Sequence, residues 1–160
     1  MKLKRLLSVL DVCECTADPE LDIRDISFDS RTTQPGDLFA AVCGYESDGH
    51  RFIGAAVERG ATVVLCQKQP EVDIPYILVA DSRLALSRIC CEFFDNPSRE
   101  LTMIGVTGTN GKTTVTTLIK HMLEQCLHTK VGLIGTNANV IVDEVLHTCL
   151  LYTSDAADDR

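Results

Sequence analysis

The segment with the most chemistry in it is Gly105-Val106-Thr107-Gly108-Thr109-Asn110-Gly111-Lys112-Thr113-Thr114, which follows an apolar run and precedes a helical pattern. Glycines admit positive φ, so successive backbone N–H groups of such a turn can converge on the oxygens of an anion. A helix starting there adds its own unpaired N–H groups and the positive end of its dipole. In this arrangement Lys112 would reach the β- and γ-phosphates of a nucleoside triphosphate and the Thr113 hydroxyl would ligate Mg²⁺, with Gly108, Thr109, Asn110, Gly111 and Thr114 completing the cradle. The strict Walker spacing requires glycine at position 106, where valine stands, so the loop is a shorter G-x-x-G-K-T variant. By itself the pattern specifies a nucleotide site and leaves the reaction open.

Other polar clusters carry weaker signals. Asp29-Ser30-Arg31 reads as a turn at the end of a strand, its charges in solvent. Asp48-Gly49-His50 reads as a structural turn, with His50 capping, hydrogen-bonding or touching a ligand. Eight cysteines stand at 13, 15, 43, 66, 90, 91, 126 and 149, without a C-x-x-C pair or the spacing of a zinc site. They are expected to be reduced thiols serving as small, mostly buried apolar residues.

The elements that must position these groups follow from periodicity. Leu3, Leu6, Leu7 and Leu10 fall at helical spacing and predict an amphipathic opening helix; the apolar run 6–10 is too short for an export signal. Strands are predicted over 23–28, 38–43, 62–66 and 74–80. Between them, 51–59 reads as a helix closed by Gly60. Asp81 and Ser82 can cap a further helix whose stripe is Leu86, Ile89, Cys90, Phe93 and Phe94, broken at Asn96-Pro97-Ser98. This alternation indicates an α/β layered domain ending near residue 98. A second unit opens with a continuous apolar strand over 101–106. It continues with the glycine-containing turn, a helix over 112–127 with Val115, Leu118, Ile119 and Met122 on one face, and a short strand over 131–134. That β-loop-α-β order favours a parallel sheet of the P-loop kind.

With 160 residues, 45% hydrophobic and 24% charged, the composition is that of a globular protein. A formal charge of −8 argues against a general nucleic-acid binder, and no stretch approaches membrane-spanning length. A cytoplasmic protein with no membrane insertion and no obligate protein partner is expected.

The non-standard loop Gly-Val-Thr-Gly-Thr-Asn-Gly-Lys-Thr-Thr resembles the ATP loop of the Mur ligase superfamily, which also includes folylpolyglutamate and cyanophycin synthetases. Upstream, Asp29-Ser30-Arg31, Pro35-Gly36-Asp37-Leu38-Phe39, Gly44 and Asp48-Gly49-His50-Arg51-Phe52 are similar to the amino-terminal domain of the MurE type. Asp81-Ser82-Arg83-Leu84-Ala85 and Asn96-Pro97-Ser98-Arg99 also match that type, and the resemblance runs from about residue 20 to 147. It implies an ATP- and Mg²⁺-dependent ligase of peptidoglycan precursor synthesis. Such an enzyme adds L-lysine or meso-diaminopimelate to UDP-N-acetylmuramoyl-L-alanyl-D-glutamate through an acyl phosphate. Lys112 would then be catalytic, neutralising charge on the transferred phosphoryl group. Phe28, Ser30, Tyr45, Glu46 and Ser47 would contact the uridine diphosphate end of the precursor.

The fold implied is α/β: a small amino-terminal, UDP-precursor-binding domain over 1–98, then the start of a parallel-sheet ATP-binding domain over 99–147. The family's paired threonines, Mg²⁺ carboxylates, carbamylated lysine and amino-acid-binding third domain have no counterpart here, so the chain is expected to be an amino-terminal fragment without ligase activity. Residues 148–160 depart from the family pattern and are read as a non-native tail. Two rivals share only part of this reading: another Mur-type ligase or cyanophycin-like synthetase, and a non-catalytic nucleotide-binding module.

Overall fold

The computed structural model describes residues 1–44, 47–135 and 139–142, together with the backbone of 144–146. The chain divides into two compact units, Met1–Thr102 and Met103–Arg160.

In the first unit helix α1 (Leu3–Leu7) is followed by strands β1 (Val12–Cys15), β2 (Ile26–Ser27) and β3 (Leu38–Ala40), then a 3-10 turn (Gly49–Phe52) running into helix α2 (Ile53–Glu58). Strands β4 (Val63–Cys66) and β5 (Tyr76–Val79) precede helix α3 (Ser82–Phe93). The sheet order is β1-β5-β4-β3-β2. β2, β3, β4 and β5 are mutually parallel, and β1 joins the far edge antiparallel to β5. Each of the four strands predicted over residues 23–80 is present but shorter than its apolar run. The edge strand β1 has no period-2 apolar pattern to announce it, and its side chains beyond Val12 are exposed.

Alternation along the parallel strands builds two cores, one on each sheet face. Leu38, Ala40, Val63, Leu65, Ile77 and Val79 pack with Leu3 and Leu6 of α1 and with Ala85 and Ile89 of α3. The intervening residues Phe39, Val64, Cys66 and Tyr76 pack on the other face with Ile53 and Ala56 of α2. The opening helix is therefore a layer of the core, as its leucine spacing predicts. The α3 stripe is shifted from expectation: Ala85 and Ile89 are buried, Leu86 and Phe93 pack against them, and Phe94 is exposed. At the helix end Phe94 meets Phe93 edge-on, with ring centroids 5.2 Å apart.

Asp81 caps α3 as its sequence suggests, its carboxylate accepting the N–H groups of Arg83 (2.9 Å) and Leu84 (3.0 Å). Asp81→Ala is expected to lower the urea-unfolding free energy by about 1 kcal/mol; an unchanged midpoint would show that water replaces the cap without loss. Gly60, past the end of α2, takes φ +101° as the expected C-terminal glycine.

A prominent turn joins β2 to β3. Buried Asp37 accepts the N–H of Gln34 (2.8 Å) and pairs with the half-exposed Arg24 guanidinium (2.7 Å), and its carbonyl accepts the N–H of Thr62. The Pro35-Gly36-Asp37 motif is thus a staple that fixes the entry to β3.

The expectation of mostly buried cysteines is corrected. Among the described residues the thiols are free, but Cys13, Cys15, Cys43, Cys91 and Cys126 are exposed, Cys90 is half-buried and Cys66 alone is buried. The first two sit on the uncovered edge strand β1, and Cys91 lies on the outer face of α3. Burial pushes the Cys66 thiol up to about 11.

The second unit has helix α4 (Lys112–Leu127) and strands β6 (Gly132–Ile134), β7 (Asn139–Ile141) and β8 (Glu144–Leu146) in an antiparallel sheet of order β6-β7-β8. Two expectations are corrected. Residues 101–106 form no strand, and β6 pairs with its sequence neighbour β7 instead of entering a parallel sheet. The physical reason is pairing: a parallel strand needs a ladder partner and two covered faces. Leu101, Met103 and Ile104 find neither among the described residues and stay exposed. α4 buries no residue completely, and Val115, Leu118 and Met122 of its apolar face are exposed.

Candidate functional site

Four connections leave the carboxyl ends of the parallel strands of the first unit: residues 28–30 after β2, 41–48 after β3, Gln67 and Lys68 after β4, and 80–82 after β5. In open α/β sheets this is the edge where ligands bind. The topology brings two of the three sequence-predicted groups there. Phe28 is half-exposed immediately after β2. Ser30 sits at the apex of a turn locked by Asp29, whose carboxylate accepts the N–H of Arg31 (2.9 Å) and grips the Arg31 guanidinium (2.6 Å to Nη2). That guanidinium, foremost, holds the Asp29 carboxyl below its ordinary range. Below the turn, the Ser27 and Thr33 hydroxyls are hydrogen-bonded to each other at 2.9 Å in a buried position.

The second group at this edge is the connection after β3. Cys43 bridges to Asp48, the Gly49 N–H donates to the Val42 carbonyl (2.9 Å), and the Gly44 N–H donates to the Ser47 carbonyl (2.9 Å). These bonds close a narrow loop that leaves Ser47 exposed; Tyr45 and Glu46 lie outside the described residues. The two arms approach so closely that a Cβ on Gly49 would fall 2.6 Å from the Val42 oxygen.

The base of this loop holds groups that the sequence does not mark as one site. Asp48 Oδ1 accepts the backbone N–H of His50 (3.1 Å), lies 2.6 Å from His50 Nδ1 and takes the Cys43 thiol at 3.3 Å. The other ring nitrogen, Nε2, accepts the N–H of Gln67 at 2.9 Å. A backbone N–H can only donate, so Nε2 carries no proton and the proton of the neutral ring lies on Nδ1, directed at Asp48. Cys43, Asp48 and His50 are the one His/Cys/carboxylate group among the described residues close enough to share a metal ion. Their hydrogen bonds argue against that use: a metal on Nδ1 would demand an imidazole without any N–H, because Nε2 is already committed to Gln67.

The hydrogen bonds from His50, first from its backbone and then from its ring, hold the Asp48 carboxyl well below the usual carboxylate range. The Cys43 thiol donates to the same oxygen, and that bond to Asp48, followed by desolvation, raises the thiol. Because the Asp48 value is depressed by folding, its contribution is complete above the ordinary carboxylate value of about 4 and is lost only in stronger acid. The Asp48 carboxyl-carbon resonance is expected to titrate with a midpoint below that ordinary value. A midpoint at or above it would contradict these hydrogen bonds.

The nucleotide-loop residues lie in the second unit. Gly108 (φ +151°) and Gly111 (φ +78°) adopt conformations that favour glycine, and Gly111 is the N-cap of α4 with no side chain capping the helix. No side chain therefore caps the amino-terminal end of this sixteen-residue helix, the kind of end at which anions are bound. Lys112 lies on the first turn and donates to the Gly108 carbonyl at 2.7 Å, folding back over the loop. Thr113 and Thr114 are exposed beside it, as are Thr109 and Asn110. Thr116 and Thr117, one turn further on, spend their hydroxyls on the carbonyls of Lys112 and Thr113. The donor set suits a polyphosphate with its cation: backbone N–H groups, one ammonium and a hydroxyl at an uncapped helix start.

Comparison with known proteins agrees with both halves. The family model described as "Mur ligase family, catalytic domain" matches residues 22–94, and "Mur ligase middle domain" matches 106–155. A UDP-N-acetylmuramoyl-L-alanyl-D-glutamate–2,6-diaminopimelate ligase from Bacteroides fragilis is 42% identical over 151 residues, covering 92% of this chain and 31% of the relative. A solved ligase of the same name superposes with a TM-score of 0.70 over 91% of this chain and 29% of its own, at 24% identity, which speaks for the fold. The MurF ligase of Thermotoga maritima, solved in complex with ADP, is 30% identical with a TM-score of 0.50, over 66% of this chain and 24% of its own. The chain thus spans under a third of the length of the curated relatives it matches. With two successive family domains matched in order across most of its length, the chain belongs to the Mur ligase family.

Proposed function

We propose that this chain is part of an ATP-dependent ligase that adds meso-diaminopimelate to UDP-N-acetylmuramoyl-L-alanyl-D-glutamate in peptidoglycan precursor synthesis. The relatives named as diaminopimelate ligases favour that amino acid over L-lysine. The observation that carries the reading is the uncapped start of α4 behind the Gly108–Gly111 turn, joined in one chain to an α/β unit of the family's amino-terminal type. ATP bound there, with Mg²⁺, would supply the phosphoryl group that activates a substrate carboxylate. The chain's own part is to hold the phosphates: backbone N–H groups of 108–113 orient them, Lys112 offsets their charge and Thr113 offers an oxygen to the cation. In the first unit Phe28, Ser30, Tyr45, Glu46 and Ser47 would hold the uridine diphosphate end of the precursor, Phe28 by ring contact and Ser30 and Ser47 by hydrogen bonds. A cytoplasmic location belongs to the same proposal; no described helix is long and apolar enough to cross a membrane.

An amide-shift titration of the 160-residue chain with the UDP-muramoyl-dipeptide tests the substrate half. Shifts are expected at 28–31 and 43–50. Shifts confined to the opposite end of the sheet, around the staple at Gln34 and Gly60, would reject the site.

A further inference from the structure

We propose that His50 is a positioning residue for substrate recognition: its ring ties the base of the loop after β3, at Asp48, to the end of β4, so that Ser47 is held ready for the uridine diphosphate group. This rests on the reading of that loop as the uridine diphosphate contact. The loop leaves β3 at the ligand-binding edge and returns through the 3-10 turn, and its base is tied at several points, among them the Lys68 ammonium 3.5 Å from Asp48 Oδ2. The Arg83 guanidinium donates to the Cys43 carbonyl at 3.0 Å, Asp48 accepts the His50 ring proton, and His50 Nε2 accepts the Gln67 N–H. Gln67 is itself fixed, donating its side-chain amide to the Ala80 carbonyl (2.9 Å) and accepting the Ser82 hydroxyl (2.8 Å). The imidazole thus spans from the loop base to a rigid site shared by the ends of β4 and β5.

His50 belongs to neither apolar core. Its bonds run to the loop base and the strand end, so removing the ring cuts the Asp48–His50–Gln67 tie, leaves the Arg83–Cys43 bond and the longer Lys68–Asp48 pair, and spares the packing of the sheet. A binding loop that is competent only part of the time weakens apparent affinity by that fraction, and ordering it on binding costs free energy that a tied loop has already spent. His50 is therefore expected to affect uridine diphosphate affinity out of proportion to its effect on folding.

The test uses the 160-residue chain with UDP as probe, following amide shifts and the thermal midpoint together. If His50→Ala leaves the loop competent about a tenth of the time, the dissociation constant rises about tenfold, with the β3–β5 amide spectrum retained. His50→Gln places an amide oxygen where Nε2 accepts the Gln67 N–H and is expected to restore affinity to within about threefold, whereas His50→Asn, too short to reach Gln67, is expected to bind as weakly as alanine. A merely structural histidine would lower the thermal midpoint in all three variants while the folded fraction bound UDP as the wild type does; that result overturns the proposal. If His50→Ala fails to fold, the Gln and Asn pair decides alone, and equal affinity of the two overturns it. Wild-type chain that shows UDP shifts away from 28–31 and 43–50, or none at millimolar UDP, overturns the underlying reading as well. A Ser30→Ala loss without any His50 effect leaves the site standing and removes only the positioning role.

Discussion

Replacing Leu65 by alanine is expected to destabilise the first unit by about 2–5 kcal/mol, the range for truncating a fully buried leucine and leaving a cavity. Leu65 is completely buried in β4, the strand at the centre of the five-stranded sheet. Its register neighbours are Ala40 on β3 and Ile77 on β5, and on this face of the sheet α1 and α3 close over the layer. The strands on either side hold the backbone in place, so little collapse can fill the space, which puts the effect toward the upper part of that range. Against a typical total of about 5–15 kcal/mol for a domain, this is a large share. Leu84, half-exposed on α3, is the control: Leu84→Ala keeps the helix and gives up little buried area, and it should change stability by under about 1 kcal/mol. Urea unfolding followed by far-ultraviolet circular dichroism separates the two. Similar losses from both substitutions would mean that the sheet face under α1 and α3 is not the stabilising core.

The same layer explains how much of this fold is legible in the sequence. Runs such as Thr62-Val63-Val64-Leu65-Cys66 are apolar on both faces, and only a strand covered on both sides has use for that; the structure places α1 and α3 on one face and α2 on the other. Helix ends with a chemical signal are equally readable, as Asp81 and Gly60 show. Edge strand β1 is not readable, because it is held by backbone pairing to β5 and by tertiary bonds, among them two with Tyr76. Thr16 donates its N–H to the Tyr76 carbonyl, and the Tyr76 hydroxyl donates to Glu14. Neither bond leaves a periodic trace in Val12-Cys13-Glu14-Cys15.

Residues 101–106 fail for the opposite reason. Their apolar run is a genuine strand signal, but a strand is a pairing and depends on partners a run cannot supply. In the candidate site, the nucleotide-loop motif is local in sequence, so its residues can be read together. The His50–Gln67 and Cys43–Arg83 ties join residues up to 40 positions apart and emerge only once the sheet order places their connections at one edge.

Lys112→Ala is expected to weaken Mg-ATP binding by about ten- to a hundredfold, the equivalent of about 1.5–3 kcal/mol for a hydrogen bond to a charged group. The ammonium sits at the start of α4 and rests on the Gly108 carbonyl, 2.7 Å away, so it is already folded toward the loop that would cradle the phosphates. Binding exchanges that neutral acceptor for a phosphate oxygen, and the gain is the difference between the two bonds. That exchange keeps the figure below what an isolated ion pair would suggest.

The substitution is not expected to melt the helix, since alanine has the higher helical propensity and no residue of α4 is fully buried. A loss of affinity can therefore be assigned to the missing charge. Calorimetry with Mg-ATP on wild-type, Lys112→Ala and Thr113→Ala chains makes the comparison. The lysine variant should lose affinity at every Mg²⁺ concentration, whereas the threonine variant should lose it most where the cation is saturating, because its hydroxyl acts on the cation. Added salt should narrow the gap between wild type and Lys112→Ala, as screening weakens a charge at an exposed loop. Equal affinity of Lys112→Ala and the wild type would remove the phosphate-binding role from this loop.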